Sequence, residues 1–311
     1  MADPVTVAIP VRNGGARLRT VLEAVRSQRV DRDVELLVSD TGSTDGSAAL
    51  ARSFCATVIP IERFSHGGTR NLLMERAAGA HVAFLTQDAV PAHRGWLAAL
   101  LDGFALADDV GLVYGPFQAP PGAPTAVARE LDAWFASFAP DGRPRLDRDP
   151  SASGPGAATF FTSANGAVAR WAWERAPFRD VAYAEDQALA RDMLHAGFAK
   201  VFVPDAAVEH AHDYAPLAQF RRSFDEWRGL HEVHGWVQPL NPARTLLTIQ
   251  SQVRADLRSL RGRGVPPGVL GSELVRSVRH WTVRAAGAAA GSRADRLPAG
   301  VRRWCSLERR G

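Results

Sequence analysis

Short apolar runs rich in β-branched residues alternate with helical patterns over the first 115 residues. The run at residues 5–9 is followed by Leu18, Val21, Leu22 and Val25, which share one face of a helix. Further strands are predicted at 34–38, 58–61, 82–85 and 110–114, and further helices from near Thr44, over 67–79 and around 96–104. Repeated strand–helix units predict an α/β fold with a mostly parallel sheet. Ligands of such sheets bind beyond the carboxyl ends of the strands.

The rest of the chain divides into a loop-rich middle and a helical end. The composition predicts a crossover loop at 116–126, a mobile loop at 139–158, strands at 159–162, 166–169 and 200–203, and a helix at 186–196. From Pro216 onward the pattern is helical throughout. No internal repeat is present.

Composition favours an ordinary globular enzyme. Hydrophobic residues make up 46% of the 311 residues and charged residues 23%. No apolar run approaches the roughly 18 residues that span a bilayer, and the first residues lack a signal-peptide pattern. Cys55 and Cys305 lie far apart without metal-type spacing. A reduced, cytoplasmic protein is therefore expected.

Polar strings follow the first two predicted strands. The first strand ends in I-P-V-R-N (9–13) and the second in V-S-D-T-G-S-T-D-G (38–46). Asp40 at a strand end can accept hydrogen bonds from a ribose or a pyrimidine N–H. Ser43, Thr44 or Asp45 can cap the helix that follows. Turn chemistry alone would explain Asp45, and Asp40 is the stronger candidate for a ligand contact.

Two more strings suit an anionic ligand and a cation. In F-S-H-G-G-T-R-N (64–71), the glycines would let backbone approach a ligand, the helix start favours an anion, and Arg70 suits a pyrophosphate. After the fourth strand, T-Q-D-A (86–89) supplies Asp88 as one carboxylate for a hard cation. A glycine-rich turn and a strand-end turn are the plainer explanations.

Acids and histidines follow between residues 183 and 214. In Y-A-E-D-Q (183–187), a carboxylate at a helix start could act as a general base, although a helix cap explains the same acids. In V-E-H-A-H-D-Y (208–214), His210 and His212 are expected on a strand, where they would point the same way toward metal or phosphate.

Taken in order, these strings resemble family-2 glycosyltransferases of the GT-A fold, the nucleotide-diphospho-sugar transferases. The H-G-G-T-R-N and T-Q-D-A strings and the residues from Leu297 to Leu307 are similar to a rhamnosyltransferase-like subgroup. The resemblance implies an inverting transferase with Asp186 as base and Glu185 on the acceptor side. It implies donor or nucleotide contacts from Pro10, Val11, Asn13, Asp40, His66, Gly67, Arg70, Gln87 and Asp88. It implies a divalent cation, Mg²⁺ or Mn²⁺, held by Asp88 with His210 or its rival His212.

The same resemblance sets the expected domains, donor and partners. Residues 3–215 would form the catalytic domain, with a nucleotide-sugar half (3–115) and an acceptor half (116–215), and 216–311 a helical, Arg-rich region. The donor would be a nucleoside-diphosphate sugar, with dTDP-L-rhamnose as the leading choice. The acceptor hydroxyl would belong to a glycan, a lipid-linked intermediate or a secondary metabolite, and no nucleic acid is expected.

Two other classes stay open. A nucleotidyltransferase that makes sugar nucleotides would share a parallel sheet, but it usually carries a glycine-rich loop with Lys or Arg after the first strand. A binding protein that lost turnover would explain Thr86, which replaces the first acid of the D-x-D motif. Asp186 and His210 have no role in a nucleotidyltransferase, so the transferase interpretation is preferred.

Charge is distributed unevenly along the chain. The net charge is +4, yet residues 245–311 hold thirteen arginines against four acids, a balance of +9. Lys200 is the only lysine, so arginine usage reflects composition as well as function. The Arg-rich helices would pack on the catalytic domain or a second subunit, or alternatively lie on an anionic membrane. Packing is the favoured of these two expectations.

Overall fold

The computed structural model describes residues 3–308. The strands are β1 (Val5–Val11), β2 (Val34–Asp40), β3 (Thr57–Pro60), β4 (His81–Leu85), β5 (Val90–Pro91), β6 (Val110–Tyr114), β7 (Phe117–Gln118), β8 (Arg145–Asp147), β9 (Asn165–Ala169), β10 (Ala199–Phe202) and β11 (Val208–Glu209). The helices are α1 (Gly15–Arg26), α2 (Ser47–Ser53), α3 (His66–Arg76), α4 (Trp96–Phe104), α5 (Thr125–Ala136), α6 (Arg170–Trp173), α7 (Glu185–His195), α8 (Pro216–His234), α9 (Pro242–Gly262), α10 (Pro267–Gly291) and α11 (Ala299–Cys305). A 3₁₀ turn covers Ala294–Arg296.

An eight-stranded sheet organises the first part of the chain, in the order β3-β2-β1-β4-β9-β6-β10-β8. The pairs β3–β2, β2–β1, β1–β4 and β6–β10 are parallel, whereas β9 runs antiparallel to both of its neighbours. The apolar runs of β1 and β4 are fully buried, as expected for strands covered on both faces. The predicted α/β fold with a mostly parallel sheet is confirmed, and a small second sheet follows the order β5-β11-β7.

The chain packs as two compact units. The first comprises the described residues up to Pro120, together with Asp132–Val181 and Glu185–His210. The second comprises Pro121–Leu131, Ala182–Ala184 and the described residues from Ala211 onward. The division at residue 215 that the sequence suggests stays a prediction. In the second unit, the helices predicted from Pro216 onward are present as α8 to α11.

In the second unit, helices α8 and α10 lie in close contact. A Cβ on Gly291 of α10 would lie 2.2 Å from the carbonyl oxygen of Phe224 on α8, and one on Gly287 would lie 2.6 Å from that of Phe220. Only glycine allows this approach of the two helices. Within residues 3–308, no helix combines the length and the apolar character needed to cross a membrane.

The prediction of a strand at 159–162 is wrong. Thr159 lies in a turn, where its hydroxyl donates to the carbonyl of Gly154 at 2.8 Å and the N–H of Phe160 donates to that of Gly156 at 3.0 Å. The backbone groups are therefore satisfied locally, and no neighbouring strand is required.

Three boundaries also differ from the expectation. The crossover loop at 116–126 contains β7 and the start of α5, and the loop at 139–158 contains β8, which pairs with β10. The helix expected from Thr44 begins at Ser47 instead. Asp45 causes this delay, because its Oδ1 accepts hydrogen bonds from the N–H and the hydroxyl of Ser47 at 3.0 and 2.6 Å. Gly46 then enters the helix with a φ of 85°.

Candidate active site

The loop after β1 is tied to two neighbouring loops through its backbone. The consecutive N–H groups of residues 12–15 all donate to side-chain oxygens. Their acceptors are Gln87 Oε1 at 2.8 Å and, each at 2.9 Å, Ser43 Oγ, Ser47 Oγ and Asp45 Oδ2. All four N–H groups therefore already have an acceptor within the protein. In a nucleotidyltransferase, the N–H groups of the corresponding loop would bind a phosphate instead. The loop geometry therefore argues against that class.

Asn13 and Gln87 owe their positions to this network. Asn13 adopts a left-handed φ of 52°, and its Oδ1 accepts the N–H of Thr44 at 2.9 Å. Asparagine tolerates that backbone better than most residues. Pro10 and Val11 lie on β1 opposite Ser39 and Asp40 of β2. The first two predicted strings thus come together at one end of the sheet.

One carboxylate oxygen of Asp40 has no hydrogen-bond partner among residues 3–308. It ends β2 and is 9% exposed. Its Oδ2 accepts the N–H of Ser43 at 3.2 Å, whereas its buried Oδ1 has no hydrogen-bond partner among residues 3–308. Buried polar atoms normally have a partner. A polar group of a ligand fits this position.

Asp88 and His210 come together after β4 and β11. Asp88 Oδ1 lies 3.5 Å from His210 Nδ1, with side chains 29% and 13% exposed. A carboxylate and an imidazole form a donor set that divalent cations accept. Arg17 donates its Nε to the backbone carbonyl of Asp88 at 3.3 Å, and this hydrogen bond helps to hold the turn after β4 in place. The residues present therefore fit a divalent cation.

The expectation that the two histidines share a strand is wrong. The strand β11 ends at Glu209, so His210 follows it, and the N–H of His210 donates to the carbonyl of Gln118 at 3.0 Å. His212 belongs to the second unit, where its ring stacks on Tyr214 with centroids 5.0 Å apart. The alternating direction of strand side chains thus does not apply to this pair.

The glycines before Arg70 lie in close contact with other parts of the protein. Ser65 caps α3, and its Oγ accepts the N–H of Gly68 at 3.2 Å. A Cβ on Gly68 would lie 2.6 Å from that Oγ, and one on Gly67 would lie 2.0 Å from the carbonyl oxygen of Arg179. Contacts within the protein therefore account for both glycines. His66 begins the helix, and its ring lies edge-on to Phe64 with centroids 5.0 Å apart.

Arg70 and Glu185 form a buried ion pair. Arg70 Nη1 lies 2.9 Å from Glu185 Oε1, with side chains 8% and 7% exposed, and it also donates to the carbonyl of His66 at 3.0 Å. The two residues were predicted to contact the donor and the acceptor separately. The structure brings them together from α3 and α7.

Asp186 follows Glu185 and stays partly exposed. Its Oδ2 accepts the N–H of Ser163 at 3.3 Å and its Oδ1 that of Gln187 at 2.8 Å. Burial, followed by the neighbouring Glu185 carboxylate, raises the pKa of Asp186 to about 6. The positive charge of Arg70 and the two N–H donors oppose this increase. A carboxylate with this pKa is well suited to proton abstraction near neutral pH.

Two contacts at this site could not be predicted from the sequence pattern. The N–H of Ser163 reaches Asp186 from the turn before β9, and the Arg70–Glu185 pair joins residues far apart in the chain. Opposite charge is the only hint of the pair, and the sequence offers many such combinations.

An α/β sheet with Asp40 at a strand end and Asp88 and Asp186 in the loops and helix start around it is the arrangement of a GT-A glycosyltransferase. The sequence profile described as Glycosyl transferase family 2 matches residues 6–164, and the chain belongs to that family. It is 29% identical over 245 residues to the O-antigen chain rhamnosyltransferase RfbN of Salmonella typhimurium, covering 75% of this chain and 74% of the relative. It is 28% identical to WbaN of Salmonella anatum, covering 75% and 74%.

A solved structure supports the fold. The mannosyltransferase PcManGT of Pyrobaculum calidifontis, solved with GDP-Man and Mn²⁺, matches with a TM-score of 0.60 and 19% identity. The match covers 94% of this chain and 87% of that one.

Proposed function

We propose that this enzyme transfers a sugar with inversion from a nucleoside-diphosphate donor to an acceptor hydroxyl, with Asp186 as general base. The observation that carries the proposal is the Asp186 carboxylate, held by two N–H groups and with its pKa raised to about 6. Asp186 takes the proton of the acceptor hydroxyl as that oxygen bonds to the anomeric carbon. The bond from this carbon to the diphosphate breaks on the opposite face, so the configuration inverts.

L-Rhamnose is the proposed sugar, with its dTDP ester as donor. The support is the similarity to two proteins named as rhamnosyltransferases and the H-G-G-T-R-N string shared with that subgroup. The free Asp40 oxygen suits a pyrimidine N–H or a ribose hydroxyl. The acceptor would be a glycan, a lipid-linked intermediate or a secondary metabolite, and a cytoplasmic location stays a prediction.

Release of free nucleoside diphosphate tests this function. The protein would be incubated with dTDP-L-rhamnose, GDP-mannose and UDP-glucose, with and without candidate acceptors. We expect acceptor-dependent release of nucleoside diphosphate with dTDP-L-rhamnose, at a rate at least severalfold above that with GDP-mannose or UDP-glucose. Tight donor binding without release under any condition would favour the non-catalytic alternative, for which the replacement by Thr86 is the supporting feature.

Asp88 and His210 would hold the divalent cation, with His212 as the rival ligand. Pro10, Val11, Asn13, His66, Gly67 and Gln87 would line the donor side. A bound cation would neutralise the charge that develops on the departing diphosphate. Asp88→Ala and His210→Ala should each weaken nucleoside-diphosphate binding about tenfold or more, and the double variant should add little, since the two groups act together.

Calorimetry with Mn²⁺, with Mg²⁺ and with EDTA measures this. Equal nucleotide affinity in all three solutions would contradict a cation bound by Asp88 and His210. In that case Arg70 would be the remaining candidate for the main diphosphate contact.

We also propose that the second compact unit, called the helical unit below, binds an anionic lipid surface. Eleven of the thirteen large apolar side chains that are exposed within residues 3–308 belong to this unit, Leu246 and Leu247 being 67% and 66% exposed. Arg254 and Arg258 on α9 are exposed, and neither has a carboxylate partner in the described part of the chain. Exposed apolar and cationic side chains on one helix are typical of interfacial binding.

A further inference from the structure

The Arg70–Glu185 ion pair is a buried contact between two helices that are far apart in the chain. Both side chains are more than nine-tenths buried, and their 2.9 Å contact joins α3 to α7. A buried ion pair stabilises a fold only weakly, because desolvation offsets the attraction. The pair lies directly before the proposed base, which suggests a role in the reaction rather than in folding.

Three charged groups act on one another at this point. Asp186 is adjacent to Glu185 on α7, and the charge that opposes them comes from Arg70 on α3. Within residues 3–308, the other groups that shift the pKa of Asp186 are the uncharged N–H donors of Ser163 and Gln187. Two neighbouring carboxylates without a counter-ion would share a proton near neutral pH. Arg70 supplies that counter-ion.

We propose that Arg70 and Glu185 together set the ionisation of Asp186 and hold the start of α7 in place for proton abstraction. This inference rests on the proposed role of Asp186 as base. Arg70 and Glu185 are then positioning residues, which act through Asp186. The roles expected from the sequence, a diphosphate contact for Arg70 and an acceptor contact for Glu185, are not required.

Removing each partner should have opposite effects. Arg70→Gln leaves two carboxylates side by side, so Asp186 should hold its proton more tightly. Glu185→Gln leaves the Arg70 cation uncompensated, so Asp186 should lose its proton more easily. We expect the acidic limb of the kcat–pH profile to move up by about one pH unit in the first variant and down by about one unit in the second. The double variant should return close to the native limb.

The experiment records kcat against pH at saturating donor and acceptor for the full chain. Asp192→Asn serves as the control, because Asp192 lies on the same helix in an ion pair with Arg179 and should leave the limb unmoved. Arg70→Lys retains the charge and should keep the limb within a few tenths of a unit, which covers the case in which Arg70→Gln fails to fold. Donor affinity, measured by calorimetry, should change less than threefold in all of them.

Limbs that stay at the native pH in both single variants, or that move in the same direction, would overturn the inference. So would a loss of activity that appears only as weaker donor binding. The base assignment is tested separately by Asp186→Asn. If that variant loses turnover while the limbs do not move, the counter-ion role fails and the proposed function stands.

Discussion

Two buried aspartates, one in each unit, differ in how completely the protein satisfies them. Asp256 in the helical unit is 1% exposed. Both of its oxygens are occupied: Oδ1 by Arg129, and Oδ2 by the Ser277 hydroxyl at 2.6 Å and the Trp281 indole at 2.8 Å. Asp40 lies in the first compact unit, called the sheet unit below, and is 9% exposed. Its buried Oδ1 has no hydrogen-bond partner among the described residues.

This difference is the one expected between a structural carboxylate and one that is available to a ligand. A saturated buried carboxylate joins helices and has no capacity left for a ligand. A buried carboxylate with a free oxygen carries a desolvation cost that a ligand can relieve. Burial and charge, which the two residues share, therefore do not distinguish Asp40 from Asp256, whereas the hydrogen bonding of each oxygen does.

The largest predicted effect tests this pair of residues. Asp256→Ala should lower the free energy of unfolding by about 3 kcal/mol, because it removes the carboxylate that pairs with Arg129 and leaves the Ser277 hydroxyl and the Trp281 indole without their acceptor. Asp40→Ala should cost about 1 kcal/mol or less, since it removes one hydrogen bond, but should reduce nucleotide binding sharply. Urea unfolding and nucleotide titration of both variants measure the contrast. Equal losses of stability would show that both carboxylates are structural.

A smaller effect concerns the stability cost of Asp186. Its folded pKa, about 6, lies above the ordinary value near 4 of an unfolded aspartate. The cost of keeping it ionised is absent below about pH 4 and grows as the pH rises through 6. At pH 7 it amounts to about 3 kcal/mol.

Asp186→Asn should therefore be more stable than the native protein by about that amount at pH 7 and equally stable at pH 4. Thermal unfolding at both pH values checks this. An Asn variant of lower stability at pH 7 would contradict the raised pKa.

The smallest effect on the enzyme itself is expected in the helical unit. Arg254→Gln, Arg258→Gln and Arg279→Gln combined should leave unfolding and donor binding unchanged. Sedimentation with phosphatidylglycerol vesicles should fall about tenfold or more, since each arginine near such a surface is worth about 1 kcal/mol. The matched control changes Arg19, Arg52 and Arg76, which are exposed in the sheet unit, to glutamine.

Phosphatidylcholine vesicles and high salt should abolish binding of the native protein. Binding that ignores lipid charge, or a self-association that the three changes disrupt, would contradict the lipid proposal. In the second case the surface would join two copies of the chain.

Strands could be predicted from the sequence where the hydrophobic pattern of a short segment is enough to identify them. The apolar runs of β1, β2, β4 and β6 predict strands because each is continuous and bounded by turn residues. The strand predicted at 159–162 fails because its β-branched residues serve a turn whose hydrogen bonds come from Gly154 and Gly156. Periodicity cannot distinguish the two cases over four residues.

Candidate site residues could be predicted from the sequence, but the contacts between them could not. Asp186 and Asp88 follow from strings at element ends. The Arg70–Glu185 pair depends on how α3 packs against α7, and the tight fit of Gly67 depends on the path of Arg179. Both are long-range consequences of packing, which local patterns do not encode.

Asp186→Asn tests the central claim most directly. The variant keeps the shape of the side chain but cannot accept a proton near neutral pH. Turnover at saturating donor and acceptor should fall by about 10²–10⁴-fold while donor affinity stays within about twofold. The acidic limb near pH 6 should vanish from the residual activity. Near-native turnover in the Asn variant would contradict the assignment of Asp186 as the base.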